Sequence, residues 1–179
     1  EKTASRVLNR ATQTTRQPGS VIKLISVYAP ALEYGLITPA TMVEDSPISI
    51  GGWSPKNSYS GYKGWVTIRE AIAISMNIPT VKVLDELTVD TSFSFLTKNL
   101  GFSTLVEKDV RAKNKVLSDK NLAALALGGL TDGMTVKEIT ASYVPFVNKG
   151  LYLKPVTYTK VTDKDGKIIL ENKLNAKVA

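Results

Sequence analysis

The chain has 179 residues, 43% hydrophobic and 22% charged, with a formal charge of +7 from 23 basic and 16 acidic side chains, and it contains neither cysteine nor histidine. Those absences exclude a thiol nucleophile, a Ser-His-Asp triad, a thiolate or imidazole metal site and a disulfide framework, so any catalysis must use Ser, Thr, Tyr, Lys or carboxylates. The basic residues are scattered from Arg6 to Lys177 as on a solvated surface, and the longest apolar stretches, such as Leu122 to Leu130, fall well short of the ~18 residues of a membrane span.

Apolar residues recur at Val21, Leu24, Ile25, Tyr28 and Leu32, which predicts a helix opened by Pro18-Gly19-Ser20 and closed at Gly35, with a bend at Pro30. Residues 36 to 65 are rich in Gly, Pro, Ser, Asn and Tyr and read as one long irregular connection of the kind that carries function. Thr67 with Glu70 makes a capping box for a helix over Ala71, Ile72 and Ile74, which should stop near Ser75-Met76-Asn77. Pro79 suits the first turn of the next helix, bearing Val81, Val83, Leu84 and Leu87.

A further helix is expected over Ser92 to Asn99, and a buried helical run over Leu122 to Leu127 that Gly128-Gly129 ends. Thr135 and Glu138 form a second capping box, for a helix reaching Tyr143 to Asn148 with Gly150 beyond it. Asp163-Lys164-Asp165-Gly166 between apolar residues then reads as a β-hairpin. No internal repeat or low-complexity tract is present. The pattern is about five helices, a long loop and a terminal hairpin, an α+β arrangement.

Ser20-Val21-Ile22-Lys23 fits S-x-x-K, the pattern of Ser-Lys acyl-transfer enzymes. Residues i and i+3 share a helix face, so the amine can reach the hydroxyl and take its proton once burial and the helix N-terminus lower its pKa. The Ser20 N–H, at a helix start, is a natural oxyanion donor. Ser60-Gly61-Tyr62-Lys63 fits the same pattern, but in a glycine-rich loop where nothing holds the pair on one face. Ser75-Met76-Asn77 admits two readings. It is either a helix-ending serine plus an asparagine that caps the next helix, or a proton relay beside Lys23 with an amide that grips a substrate carbonyl.

Asn9-Arg10-Ala11 followed by Arg16-Gln17-Pro18-Gly19-Ser20-Val21-Ile22-Lys23 resembles the nucleophile segment of the transpeptidase domain of class A (bifunctional) penicillin-binding proteins. The likeness continues in order through Glu33-Tyr34-Gly35, Gly52-Trp53-Ser54-Pro55 with Asn57, Gly64 to Ala71, Ser75-Met76-Asn77-Ile78-Pro79, Leu127 to Thr131, Gly133-Met134-Thr135 and Tyr143 to Gly150, covering the chain from Asn9 to about Glu171. It implies the penicilloyl-serine transferase fold and a peptidoglycan DD-transpeptidase acting on D-Ala-D-Ala stem peptides, with Ser20 as nucleophile, Lys23 as base, Ser75 as proton shuttle and Asn77 as substrate-orienting amide. β-Lactams would acylate Ser20. No metal or cofactor is implied.

Two features depart from the family pattern. Leu24 stands where many relatives have proline, and the Lys-Thr-Gly strand is missing, since Lys2-Thr3 is followed by Ala4. The family's first strands, expected before Asn9, are missing as well. The expectation is a single partial transpeptidase domain over residues 1–179, mainly a helical part over about 18–150 plus a hairpin over about 152–171, with an incomplete central antiparallel sheet. Because it opens at Glu1 without Met, the chain is expected to come from something longer, with the Lys-Thr-Gly segment beyond Ala179 or on a separate chain. A glycosyltransferase domain and an anchor to the extracytoplasmic face of the bacterial membrane would lie outside it, and nucleic acid is not an expected partner. Two other readings compete: a β-lactam sensor or β-lactamase-like relative, and a basic module that binds nucleic acid or an anionic polymer without chemistry.

Overall fold

The structure, a computed structural model, describes residues 7–111 and 115–179. After strand β1 (Thr15–Arg16), a 3-10 turn over Gly19–Val21 leads into a helical segment that is π-helical over Leu24–Tyr28 and becomes α1 (Ala29–Glu33). Just before Pro30, where the sequence predicts a bend, the helix widens into that π segment. The wider turn, in which Ala29 N–H reaches back five residues to the Leu24 carbonyl, carries the helix past a residue that has no N–H to donate. The Ser26 carbonyl, which an α-helical register would pair with residue 30, instead accepts from the buried Ser92 hydroxyl at 2.6 Å. Val21, in the preceding 3-10 turn, is 52% exposed, whereas Ile22, Ile25 and Tyr28 are buried.

The long connection expected over residues 36 to 65 contains a strand, β2 (Met42–Asp45), which pairs antiparallel with β3 (Gly64–Thr67). Thr67 caps α2 (Ile68–Ala73) through the Glu70 N–H, and α3 (Asn77–Leu87) follows after a three-residue break. The helix predicted from Ser92 begins earlier, as α4 (Val89–Ser94), and continues as a π segment over Phe95–Asn99. A hairpin that the sequence did not signal, β4 (Asp109–Arg111) with β5 (Lys115–Leu117), precedes α5 (Leu122–Leu127), which ends at a left-handed Gly128 as expected.

β6 (Met134–Thr135) pairs with β1, and a complete Thr135–Glu138 capping box opens α6 (Val136–Ser142). The helix expected to reach Asn148 gives way to a 3-10 turn at Val144–Phe146, where Pro145 interrupts the α-helical bonding. β7 (Leu151–Leu153) is followed by the predicted hairpin, β8 (Lys160–Thr162) with β9 (Ile168–Glu171), and by β10 (Ala176–Val178), which returns to β7.

Every sheet among the described residues has two strands, so the order is α+β without a central sheet. The core is helical. Ile22, Ile25 and Tyr28 meet Val81 and Leu84 of α3, Leu96, and Leu125 of α5, each close to fully buried and each contributing about 1.5–3 kcal/mol of apolar burial. The segment that carries Ser20 and Lys23 is therefore the central helix of the core, and its N-terminal turn emerges at the surface.

Candidate active site

Three contacts from distant parts of the chain hold the Ser20 turn. The Gln17 side-chain amide pairs with the backbone of Leu130, donating to its carbonyl at 2.6 Å and accepting from its N–H at 2.7 Å. The Tyr143 hydroxyl donates to the Val21 carbonyl at 2.6 Å, and burial raises its pKa, which keeps it a donor. Gly128 lies against Gly19 so closely that a Cβ there would stand 2.2 Å from the Gly19 carbonyl oxygen. Ser20 itself is exposed.

One turn further on, Lys23 is 3% exposed, and its Nζ donates to the Ser75 carbonyl at 2.7 Å, the Ser75 Oγ at 3.2 Å and the Asn77 Oδ1 at 2.6 Å. Three acceptors match the three hydrogens of an ammonium group. Burial lowers the lysine pKa from 10.5 to about 8, so a neutral amine is accessible near physiological pH. The structure thus brings Lys23, Ser75 and Asn77 together. Ser20 lies on the same segment but is not among the hydrogen-bond partners of Lys23, because the charged amine spends all its donors on the other two residues.

Ser75 owes its position to the way α2 ends. The Met76 N–H donates to the Ala71 carbonyl and the Ser75 N–H to that of Ile72, the two bonds of a Schellman motif, with Ser75 at φ 56° where glycine is usual. Asn77 does not cap α3 with its side chain. It is the first helical residue, its Nδ2 donates to the Lys56 carbonyl, and the cap comes from the loop: Asn57 Oδ1 accepts from Asn77 N–H at 3.1 Å and Ile78 N–H at 3.2 Å. The second S-x-x-K, Ser60 to Lys63, lies in the loop between β2 and β3, and Lys63 Nζ sits 5.7 Å from the Tyr59 ring centroid.

A buried amine of lowered pKa between a hydroxyl and an amide, one turn after an exposed serine, can accept a proton from that serine and pass it on. Residues 1–178 match the family model described as the penicillin binding protein transpeptidase domain. The chain belongs to this family.

Among its relatives, penicillin-binding protein 1A of Clostridium tetani is 36% identical over 178 residues, covering 92% of this chain and 21% of that protein. Penicillin-binding protein 1F of Bacillus subtilis is 34% identical, covering 97% of this chain and 22% of that protein. The chain therefore spans about a fifth of the length of these relatives. The crystal structure of penicillin-binding protein 1A from Haemophilus influenzae superposes with a TM-score of 0.73 at 31% identity, over 94% of this chain and 24% of that one. An imipenem acyl-enzyme complex of penicillin-binding protein A from M. tuberculosis, 21% identical with a TM-score of 0.73, covers 99% of this chain and 42% of its own and shares the fold.

Several residues that pack or hydrogen-bond around this cluster were not assigned by the sequence alone. Gln17 and Tyr143 stand in the sequence only as parts of the family resemblance, and Gly128 as part of that resemblance and as a helix stop. Asp45, fully buried at the end of β2, gave no signal at all.

Proposed function

We propose that this chain supplies the nucleophile-bearing wall of a peptidoglycan DD-transpeptidase. The observation that carries the reading is Lys23, buried and saturated by Ser75 and Asn77 one turn after an exposed Ser20. Neutral Lys23 has two N–H donors and a lone pair, so it can keep two of its acceptors and turn the lone pair to the Ser20 hydroxyl. Ser20 Oγ then attacks the carbonyl between the two D-alanines of a stem peptide while its proton passes to Lys23.

The tetrahedral intermediate collapses as the C–N bond breaks and the proton travels from Lys23 through Ser75 to the departing D-alanine amine. An amine of a neighbouring stem attacks the resulting ester, restores the Ser20 hydroxyl and forms the cross-link. One N–H of Asn77 Nδ2 goes to Lys56, and its second is available to a substrate carbonyl. β-Lactams enter by the same attack and stay bound to Ser20. On this reading residues 1–179 form one partial transpeptidase domain, with a mainly helical part over about 18–150 followed by a C-terminal β region that holds the β8–β9 hairpin. The Lys-Thr-Gly segment, the glycosyltransferase domain and the anchor at the extracytoplasmic membrane face belong to the rest of the protein. No helix among the described residues is long and apolar enough to cross a membrane.

The test is covalent labelling. Incubated with a fluorescent penicillin, the intact protein should label and its Ser20→Ala variant should not. Labelling that survives the substitution would place the nucleophile elsewhere.

A further inference from the structure

We infer that Asp45 and Asn57 are a positioning pair that fixes Asn77, and with it Ser75, on Lys23. The inference rests on the reading of Ser20 and Lys23 just given, and it extends the site by a layer that touches no substrate. Asp45 is 0% exposed, and both its oxygens accept hydrogen bonds: Oδ1 from Asn57 Nδ2 at 2.7 Å, Oδ2 from the Tyr59 hydroxyl at 2.8 Å and from Lys63 N–H at 2.8 Å. Burial, then the hydrogen bond to Asp45, raises the pKa of Tyr59 and keeps it a donor.

Because the carboxylate accepts, the Asn57 amide can lie in one orientation only, nitrogen toward Asp45 and oxygen away. The oxygen then faces the Asn77 and Ile78 N–H groups, two of the donors that a helix start leaves unpaired. Met76, at the N-cap of α3, has no side-chain acceptor to satisfy them. The same logic repeats one step on. Asn77 Nδ2 is committed to the Lys56 carbonyl next to Asn57, so Asn77 Oδ1 points to Lys23.

A second tether keeps this geometry in register. Lys82, further along α3, donates to the Glu44 carbonyl at 2.7 Å and to Ser46 Oγ at 2.9 Å, on either side of Asp45. The loop that encloses Asn57 is thus joined to α3 at two heights, and the polarity of every bond from Asp45 to Lys23 follows from its neighbour.

That polarity makes a donor–acceptor swap the decisive experiment. In Asp45→Asn, the amide oxygen at 45 must still serve Tyr59 and Lys63, which turns its nitrogen against that of Asn57. In Asn57→Asp, two carboxylate oxygens meet across 45 and 57. In the double variant every bond is restored: the amide at 45 accepts from Tyr59 and Lys63 and donates to the carboxylate at 57, which accepts both α3 N–H groups.

The variants are made in the intact protein. Time-resolved labelling by a fluorescent penicillin separates the acylation rate constant from the dissociation constant, and melting temperatures are recorded alongside. Each single variant should acylate at least about tenfold more slowly, because Asn77 and Ser75 lose their fixed placement on Lys23, and the double variant should return to within about threefold of wild type. A folded single variant that acylates at the wild-type rate overturns the pair. So does a double variant that recovers its melting temperature without its rate. If the single variants fail to fold, the double variant decides by its rate alone. Ser20→Ala, run in parallel, separates the two readings: labelling that persists there defeats the assignment of Ser20, whereas labelling lost there but unchanged in both singles defeats only the positioning pair.

Discussion

Ser75 sits at φ 56° in the left-handed position that ends α2, where side chains other than glycine cost roughly 1 kcal/mol. Met76 N–H and Ser75 N–H close the turn, so the strained conformation is held from both sides, and it points the Ser75 carbonyl and hydroxyl together at Lys23. On the proposed reading, this strain is kept because the hydroxyl serves the proton relay. Ser75→Gly relieves the strain but takes an acceptor from the buried Lys23 amine, so it should melt higher than Ser75→Ala by about 1 kcal/mol of stability, while acylating at least about a hundredfold more slowly than wild type, the scale of a lost proton relay. Ser75→Ala should lose the same rate and gain no stability. Melting temperatures and penicillin acylation rates on the three proteins check this, and a glycine variant as fast as wild type would remove Ser75 from the relay.

At the scale of elements, what the sequence disclosed was local. The S-x-x-K spacing, both Thr-to-Glu caps and the glycine stop of α5 each depend on residues within one or two turns, and the structure contains the stop, the full box at Thr135–Glu138 and the threonine half of the one at Thr67–Glu70. The pairings of β2 with β3 and β7 with β10 were not legible, because strands of three or four residues show almost no alternation, and the one fully buried side chain of β2 is the polar Asp45. The support beneath Ser20 was hidden for a related reason. Gly128 earns its place twice, as the left-handed stop of α5 at φ +78° and as the surface on which Gly19 rests, and only the first role is written in its neighbours. Gly128→Ala adds a Cβ that overlaps the Gly19 backbone in a conformation already costly for alanine, so it should destabilise by more than about 2 kcal/mol and slow acylation by displacing the Ser20 turn. Gly129→Ala is the control, since nothing lies within 4 Å of a Cβ there, and it should stay near wild type in both melting temperature and rate. Equal losses in the two variants would show that the close approach of Gly128 to Gly19 does not position Ser20.

At the scale of the whole molecule, the buried core is helical while the sheets among the described residues are five separate pairs, and apolar side chains such as Val147, Leu174 and Val178 stand more than half exposed around the C-terminal strands. The groups that would act on the reacting carbonyl all come from one side: the serine, the lysine, the relay and the amide. On the proposed reading, the opposite side is the Lys-Thr-Gly strand, which provides the second oxyanion donor and a cation for the substrate carboxylate, and no Lys-Thr-Gly occurs in the 179 residues. Removing one oxyanion donor costs about a hundredfold to a thousandfold in rate. The 179-residue segment by itself, shown folded by a cooperative melt, should therefore acquire the mass of a bound penicillin at least about a hundredfold more slowly than the intact protein. Mass spectrometry over a time course reads this directly. A folded segment that acylates as fast as the intact protein would mean that the helical wall alone supports the chemistry, and that the partial domain is functionally complete.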